Sequence, residues 1–227
     1  MNKALCVISG GMDSATMLYM ALEKSFWGFD PFGLVEAISF NYGQRHVKEL
    51  DYAAALCKEK GVRHEVIDIS ALRPFIGGSA LTDDIAVPEG HYESASMKLT
   101  VVPNRNAIML SIAVGVAVAR GATAVGAAMH AGDHAVYPDC RPAFVKTFQT
   151  MTNVATEGSE DSPIIWAPFI DKSKADIARW GKFLGVNYSL TWSCYKGGEY
   201  HCGKCGTCVE RIEAFELIDE PDPTTYQ

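Results

Sequence analysis

The stretch "CVISGGMDSATMLYMALEK", from Cys6 to Lys24, decides the fold, because it reads as an apolar strand, a glycine turn and an amphipathic helix. Gly10 and Gly11 have no Cβ atoms, so the backbone can turn tightly and a bulky anion can approach the helix N-terminus, where the helix dipole favours negative charge. Asp13 would repel such an anion unless a cation, most simply Mg²⁺, lies between them. The turn therefore predicts phosphate binding, with an ordinary helix cap as the alternative.

The rest of the chain repeats this order of strand and helix. Apolar segments rich in β-branched residues lie at 3–9, 34–40, 62–68, 122–128 and 163–167, and segments with helical periodicity lie at 12–25, 44–60, 105–120, 141–155 and 172–184. Continuous apolar strands that alternate with helices are typical of a parallel sheet covered on both faces. The sequence thus predicts an α/β fold with a doubly wound parallel five-stranded sheet, whose ligands bind beyond the carboxyl ends of the strands.

Composition excludes several classes of protein. The chain has 227 residues, 48% of them hydrophobic, and a net charge of −7 without a basic cluster, so we expect no nucleic-acid partner. It contains no apolar run long enough to span a membrane and no leader-like N-terminus, so we expect no membrane partner and a cytoplasmic location.

Four of the seven cysteines form a compact pattern near the C-terminus. Cys194, Cys202, Cys205 and Cys208 have the spacing C-x₇-C-x₂-C-x₂-C. Four thiolates at this spacing predict a closed, structural Zn²⁺ site, with an iron–sulfur cluster or a nucleic-acid zinc ribbon as alternatives. We therefore divide the chain into an α/β domain, 1–190, and a zinc-binding segment, 191–227. Cys6 and Cys57 fall in apolar or helical periodicity and are expected in the core.

Other polar segments follow the predicted strands. They are "FNYGQRH" at 40–46, "VVPNRN" at 101–106, "YPDCR" at 137–141 and "FIDKSKADI" at 169–177. In the second, Asn104 is a candidate cap, and Arg105 at a helix start indicates a bound anion. In the last, Lys172 and Lys174 occupy the same kind of position, and one of them is expected to contact a phosphate. Residues 77–100 have little periodicity and are expected to cover the substrate.

The segment SGGMDS, 9–14, resembles the SGGxDS signature of the PP-loop, or ATP pyrophosphatase, superfamily. This resemblance implies an adenine nucleotide alpha hydrolase-like fold in which the turn holds the pyrophosphate end of ATP. The implied ATP-binding residues are Ser9, Gly10, Gly11, Met12, Asp13 and Ser14. The superfamily includes amidating synthetases and tRNA thiolation enzymes, so the turn alone leaves the acceptor open.

Taken together and in order, these motifs and the four cysteines resemble the 7-cyano-7-deazaguanine synthase family of queuosine biosynthesis. The resemblance implies a ligase that uses Mg²⁺, ATP and ammonia to convert 7-carboxy-7-deazaguanine into the 7-nitrile through adenylate and amide intermediates. It implies catalytic roles for Asp13, Lys172 and Arg105, and substrate contacts for Tyr42, Gly43, Arg105, Asp139 and Arg141. It also implies a homodimer. Phe26, Trp27, Phe29 and Phe32 are candidate interface residues, with a loop packed on its own sheet as the alternative.

The chain departs from the family at two places next to the expected substrate site. Asn104 stands where the family commonly has glycine, and Ala135-Val136 stands where a Ser-Gly pair precedes the tyrosine. A related enzyme that stops at the amide, or joins the deazaguanine to another amine, is therefore an alternative. A PP-loop tRNA thiolase is a second alternative, and the acidic charge of the chain disfavours it.

Overall fold

The apolar segments predicted as strands pair side by side in one parallel sheet. The structure is a computed structural model that describes residues 2–23, 32–92, 94–157 and 162–227. The strands are β1 Lys3–Val7, β2 Leu34–Asn41, β3 Arg63–Asp68, β4 Ala124–Gly126 and β5 Ile164–Trp166. Their order across the sheet is β3-β2-β1-β4-β5. The chain therefore winds outward from β1 in both directions, which confirms the predicted doubly wound sheet.

The helices alternate with the strands as predicted. They are α1 Met12–Leu22, α2 Glu49–Glu59, α3 Arg105–Ala119, α4 Pro142–Ala155, α5 Lys174–Leu184 and α6 Gly206–Glu216. The sequence did not indicate α6, because its first turn lies inside the cysteine pattern and has little apolar periodicity. None of the helices in the part of the chain that the structure describes is long and apolar enough to cross a bilayer.

The core has two layers, one on each face of the sheet. Side chains alternate along β1, so Ala4 and Cys6 pack with α1, α2 and α5, whereas Leu5 packs with α3 and α4. Cys6 and Cys57 lie fully buried in the first layer, as predicted, and burial raises the pKa of both thiols to about 12. Helices thus cover both faces and leave the carboxyl edge of the sheet as the place for a ligand.

Helix α2 begins five residues later than the predicted start at residue 44. Gly43 has a positive φ of 80°, and the Gln44 side chain donates to the Phe40 carbonyl oxygen and accepts from the Tyr42 amide. These side-chain bonds stabilise a turn in place of a first helical turn. The segment between β2 and α2 therefore stays at the carboxyl edge of the sheet.

The C-terminal segment packs closely against the α/β domain. Ala214 and Phe215 of α6 share a buried cluster with Met12 and Ala178, and the Trp192 amide donates to the Gly10 carbonyl oxygen at 2.8 Å. The segment thus reaches the glycine turn. Its status as a separate domain, 191–227 beside 1–190, stays a prediction.

Candidate active site

One pocket opens at the carboxyl edge between β1 and β4, where the strand order reverses. It is a cleft with a volume of about 240 Å³. Its wall comes from the glycine turn, the ends of β2 and β4, the starts of α2, α3 and α5, and the C-terminal segment. The polar residues of this wall are Ser9, Asp13, Ser14, Tyr42, His46, Glu49, Tyr92, Arg105, Asn106, His130, Asp133, Tyr137, Lys174, Ser193, Tyr195 and Thr207. Ligand binding at this position is expected for a doubly wound sheet.

The glycine turn is stabilised by its own hydroxyl groups. The Ser9 hydroxyl accepts from the Gly11 amide at 3.2 Å, and the Ser14 hydroxyl accepts from the Ser9 amide at 3.2 Å. The N-cap of α1 is Gly11, which has no side chain that could accept from the first-turn amides. Asp13 and Ser14 therefore do not act as a conventional cap, and the helix N-terminus remains suited to an anion.

The two glycines of the turn have different roles. Gly10 does not line the pocket; its φ is 89°, and a Cβ there would lie 2.2 Å from the Glu49 carbonyl oxygen. Gly11 lines the pocket, and a Cβ there would lie 3.4 Å from the Ser9 hydroxyl. Gly10 is thus required for close packing of the turn against α2, whereas Gly11 faces the ligand space.

Asp13 belongs to a charged cluster assembled from four parts of the chain. Lys174 Nζ lies 2.7 Å from Asp13 Oδ2 and 3.1 Å from Glu210 Oε2, the second contact being an ion pair without hydrogen-bond geometry. His130 Nε2 lies 3.5 Å from Asp133 Oδ1 and 3.8 Å from Glu210 Oε1. Three carboxylates surround one lysine and one histidine, so the cluster has an excess of negative charge whenever its carboxylates are ionised.

Lys174, rather than Lys172, lies in this cluster. Burial by itself lowers the pKa of the Lys174 ammonium, but the Asp13 and Glu210 carboxylates more than offset that effect and hold the pKa above its usual range. Lys172 is exposed and lies outside the pocket wall. The reason is local: Ser173 and Asp176 form a capping box, which makes Lys174 the first residue of α5 and directs its side chain across the pocket.

The other end of the pocket is aromatic. Arg105, at the start of α3, donates through Nη1 to the Tyr42 hydroxyl at 3.2 Å, and its guanidinium lies 5.5 Å from the centre of the Tyr42 ring. Tyr137 and Tyr195 line the same end. A half-buried arginine surrounded by aromatic rings suits a flat ligand that carries an anionic group.

The structure places three of the predicted substrate residues outside the pocket wall. Gly43, Asp139 and Arg141 do not line it. Asp139 Oδ2 accepts from the Asn106 amide at 2.9 Å, and Arg141 Nε donates to the His134 carbonyl oxygen at 2.9 Å. Asp139 therefore supports the start of α3, and Arg141 stabilises the turn after β4.

A buried acid and a buried histidine form the wall beside α2. Burial raises the pKa of the Glu49 carboxyl to about 8, while the Gln44 amide and Arg105 partly oppose that shift. Burial and then Arg105 lower the pKa of His46 to about 3, and His46 Nε2 lies 3.5 Å from Glu49 Oε2. Burial thus favours the neutral form of both groups in this wall.

Of the two departures from the family pattern, the backbone conformation explains the asparagine at position 104. Asn104 has a left-handed conformation with φ 57°, it makes no side-chain cap bond, and its side chain is exposed. Asn104 therefore occupies the N-cap position of α3, as predicted, but its side chain makes no capping bond. Asparagine is among the few residues that tolerate the left-handed region that glycine prefers, so this replacement preserves the backbone. Ala135 is exposed and Val136 is buried, and neither lines the pocket.

The four C-terminal cysteines converge as the spacing predicts. Their Sγ atoms all lie within 4.8 Å of one another, and the Cys205 and Lys204 amides donate to Cys202 Sγ at 3.2 and 3.4 Å. Four Zn–S bonds of about 2.3 Å place tetrahedral sulfur atoms about 3.8 Å apart, so the thiol set fits a metal of that size. The donors form a candidate metal centre with a complete set of sulfur ligands.

His201 lies beside this centre but outside the thiol group. Its Nε2 accepts from the Ser193 amide at 3.0 Å, and its ring lies 4.1 Å from the Trp192 ring. The Nε2 atom of His201 is therefore occupied by an amide donor, and His201 packs beside the four thiols. Phe32 packs edge to face on Trp166 with ring centres 5.4 Å apart. The other three aromatic residues proposed for an interface, Phe26, Trp27 and Phe29, lie outside the described residues.

Several pocket residues were not identified from the sequence. They are Glu49, Tyr92, His130, Asp133, Tyr195 and Lys174, which lines the pocket in place of Lys172. Glu210, which contacts Lys174 from outside the pocket wall, was not identified either. His130 and Asp133 lie within seven residues of the end of β4, so the sequence could have placed them at the carboxyl edge of the sheet. Tyr92 comes from the segment 77–100 that was expected to cover the substrate. Glu210 had no such signal, because nothing in the sequence indicates that α6 reaches the glycine turn.

The sheet order, the glycine turn and the pocket between β1 and β4 define an α/β protein of the PP-loop class. NMN synthetase from Francisella tularensis shares this fold, with a TM-score of 0.50 and 15% identity over 96% of this chain and 77% of its own.

A family model described as "Queuosine biosynthesis protein QueC" matches residues 3–219. The 7-cyano-7-deazaguanine synthases of Brucella anthropi and Allorhizobium ampelinum are 53% and 54% identical, over 99% of this chain and 94% and 92% of theirs. The chain belongs to the QueC family.

Proposed function

We propose that the chain is an ATP-dependent ligase that converts 7-carboxy-7-deazaguanine and ammonia into 7-cyano-7-deazaguanine. The observation that carries this proposal is a single pocket with the glycine turn and Lys174 at one end and Arg105 within an aromatic wall at the other. The first end suits the phosphates of ATP, and the second suits a flat base with a carboxylate. The synthase names of the relatives support the same reaction.

At the phosphate end, the first-turn amides of α1 and the Lys174 ammonium stabilise the negative charge of the pyrophosphate as it leaves. Asp13 is suited to hold Mg²⁺, because its Oδ1 is buried and accepts no hydrogen bond from any residue that the structure describes. A Mg²⁺ ion held by Asp13 would supply positive charge that offsets the negative charge of the phosphates and of the cluster. Lys174 therefore takes the role that the sequence assigned to Lys172.

At the aromatic end, Arg105 pairs with the carboxylate of the substrate, and the Tyr42 hydroxyl holds the guanidinium in place. The rings of Tyr137 and Tyr195 provide apolar surface for the deazaguanine. For the adenylation step, a substrate held in this way must present its carboxylate to the α-phosphorus of an ATP whose phosphates occupy the glycine turn. Asp139 and Arg141 act only through the backbone that they support.

The reaction uses this site twice. A carboxylate oxygen attacks the α-phosphorus of ATP and pyrophosphate leaves; ammonia then attacks the acyl carbon, AMP leaves, and loss of a proton gives the amide. The amide oxygen attacks a second ATP in the same way, and loss of both nitrogen protons and of AMP gives the nitrile. The residues bind, orient and stabilise charge, so the catalysis is electrostatic and not covalent.

Mass analysis of the products tests this proposal. The purified chain, incubated with Mg²⁺, ATP, ammonium and 7-carboxy-7-deazaguanine, is expected to form the nitrile and two equivalents of AMP. The Asp13→Ala variant is the inactive control. Accumulation of the amide without nitrile would favour the enzyme that stops at the amide, and formation of ADP would contradict the adenylate step.

We infer that the four cysteines hold a structural Zn²⁺ ion, since a complete sulfur shell leaves no open position for catalysis. Metal analysis of protein purified without added metals is expected to give one zinc per chain. Iron with acid-labile sulfide would instead indicate an iron–sulfur cluster.

We also propose that the enzyme works in the cytoplasm as a homodimer. The need for ATP and for reduced thiols supports the location. The family resemblance supports the dimer, although Phe32 packs within its own chain. Light scattering coupled to size exclusion is expected to give twice the mass of the chain, and the mass of a single chain would contradict this.

A further inference from the structure

The cysteine centre and the phosphate end of the pocket share one helix, α6. Cys205 is the N-cap of α6, Cys208 lies in its first turn, and Thr207 between them lines the pocket. One turn further on, Glu210 Oε2 lies 3.1 Å from Lys174 Nζ. The helix that begins at the metal ligands therefore delivers a carboxylate directly to the phosphate-binding lysine.

The position of Glu210 is closely defined by its surroundings. The residue is 9% exposed, and its Oε1 lies 3.8 Å from His130 Nε2. Gly132 packs against the carboxylate, since a Cβ there would lie 2.8 Å from Glu210 Oε1. Packing thus restricts the Glu210 carboxylate to a position next to Lys174 and His130.

Lys174 is oriented by Asp13, by His130, whose Nε2 lies 3.3 Å from Lys174 Nζ, and by the Glu210 carboxylate. A lysine side chain has four rotatable bonds and loses considerable freedom when it is fixed in one position. Asp13 and Glu210 hold the ammonium between them, at 2.7 and 3.1 Å. If Asp13 turns toward Mg²⁺ when ATP binds, Glu210 is the carboxylate that continues to hold Lys174.

The metal centre determines where the first turn of α6 lies. Three of its four ligands come from the loop and the first turn around the N-cap, and Cys194 joins them from the segment that follows Trp192. The middle of the helix has a separate anchor, because Arg211 Nε and Nη2 each donate to the Asp222 carboxylate at 2.9 Å. Loss of the metal would therefore loosen the turn that carries Thr207 and leads to Glu210, without releasing the whole helix.

We propose that Glu210 is a positioning residue for Lys174 and that it couples metal binding at the four cysteines to nucleotide binding in the pocket. This inference rests on the proposed function only in taking the phosphates of ATP as the ligand of Lys174. Coupling of two binding sites is reciprocal, so a metal that strengthens ATP binding is itself held more tightly when ATP is bound, by the same factor.

A competition experiment measures this factor. The zinc-loaded, full-length chain is titrated with a zinc-selective chelator in the presence of Mg²⁺, with and without saturating ATP. ATP is expected to raise the affinity of the chain for zinc at least about fivefold. Calorimetric titration with ATP and Mg²⁺ is done in parallel on the zinc-loaded and the zinc-depleted chain, so that the reciprocal effect is measured directly.

Three variants separate positioning from folding. Glu210→Gln keeps the shape of the side chain and is expected to retain one zinc per chain while the coupling factor falls to within about twofold of unity. Glu210→Asp, which keeps the charge, is expected to restore part of the coupling. Glu216→Gln changes an exposed residue of the same helix and is expected to leave the factor unchanged.

The outcomes distinguish the two proposals. Coupling that is absent in the wild-type chain although ATP binds, or that is unchanged in Glu210→Gln, overturns the inference and leaves the proposed function intact. A wild-type chain that binds no ATP at all contradicts the proposed function itself, and with it this inference.

Discussion

Lys174 is the residue that we propose for contact with the phosphates of ATP. It is the only lysine of the described pocket wall, and two carboxylates keep it charged and oriented. Lys172, two positions earlier, is exposed. The two side chains have the same chemistry and differ only in position, so they form a matched pair for a mutational test.

Lys174→Met is expected to lower kcat/KM for ATP by about 100-fold, because it removes a charged group that contacts the leaving phosphates. Lys172→Met is expected to change kcat/KM by less than about twofold. The rate of AMP formation at several ATP concentrations measures both. A larger loss of kcat/KM in Lys172→Met than in Lys174→Met would show that Lys172 is the catalytic lysine.

Glu49 makes stability depend on pH in a defined direction. Its pKa is raised from 4.5 to about 8 by burial, so the folded chain binds this proton more tightly than the unfolded chain. The stabilisation is therefore fully present below pH 4.5 and is lost as the pH rises toward 8. His46 contributes with the opposite sign at lower pH, because burial lowers its pKa.

Glu49→Gln is expected to remove this loss. Between pH 5 and pH 8 the free energy of unfolding of the wild type should fall by on the order of 3 kcal/mol relative to the variant. Urea denaturation across this pH range measures the difference. Asp51→Asn, at an exposed position of α2, serves as control and should follow the wild type; parallel curves for wild type and Glu49→Gln would show that Glu49 ionises normally.

At the level of elements, the glycine turn packs closely against α2, and both contribute residues to the pocket wall. The Cβ of an alanine at Gly10 would lie 2.2 Å from the Glu49 carbonyl oxygen and 3.0 Å from the Ala53 amide. Gly61, at the end of α2, also has a positive φ, 65°, but a Cβ there would meet nothing within 4 Å. Both glycines therefore have a positive φ, but only at Gly10 would a Cβ also collide with a neighbouring helix.

Gly61→Ala is expected to cost about 1 kcal/mol of stability through backbone strain alone. Gly10→Ala should cost more than about 3 kcal/mol, because α2 must also move away from the turn. Thermal or urea unfolding of both variants gives the comparison. Equal losses would mean that the turn tolerates a side chain at Gly10.

The strands and helices could be predicted because their signals are local. Continuous apolar segments and helical periodicity placed β1 to β5 and α1 to α5 within a few residues of their observed bounds. The two exceptions, the start of α2 and the whole of α6, have causes that hydrophobic periodicity does not reveal. Side-chain bonds of Gln44 delay the start of α2, and α6 begins within a metal-binding pattern instead of an apolar stripe.

The site was harder to predict than the fold because its members meet through long-range packing. The glycine turn and the four cysteines are contiguous motifs, so the sequence identified both. The choice between Lys172 and Lys174 depends on the exact first residue of α5, and the approach of Glu210 depends on how α6 packs. Asp139 and Arg141 share a motif with pocket residues but support the backbone.

At the scale of the whole molecule, the cysteine centre joins the C-terminal segment to the α/β domain. Cys194 and Cys205 are fully buried in one cluster with Trp192, whose amide donates to the glycine turn. Because metal binding and local folding are coupled, loss of one ligand should affect this segment first.

Cys205→Ser is expected to lose the metal and to increase hydrogen exchange of the amides in 194–216, while the amides of β1 and β2 stay protected. Metal content and exchange followed by mass spectrometry measure this. Cys57→Ser, at a buried position of α2 outside the centre, is expected to keep the metal. If the metal-free Cys205→Ser variant kept the hydrogen exchange of the wild type, the segment would fold without the metal.

The charged cluster also has a consequence for synthesis of the chain. Asp13, His130, Lys174 and Glu210 come from positions spread over almost the whole sequence, yet they contact one another. A ribosome releases them in that order, and the sheet around β1 can begin to pair long before α6 emerges. Because Glu210 comes last of the four in the sequence, a nascent chain can complete this charged cluster only after α6 has been synthesised.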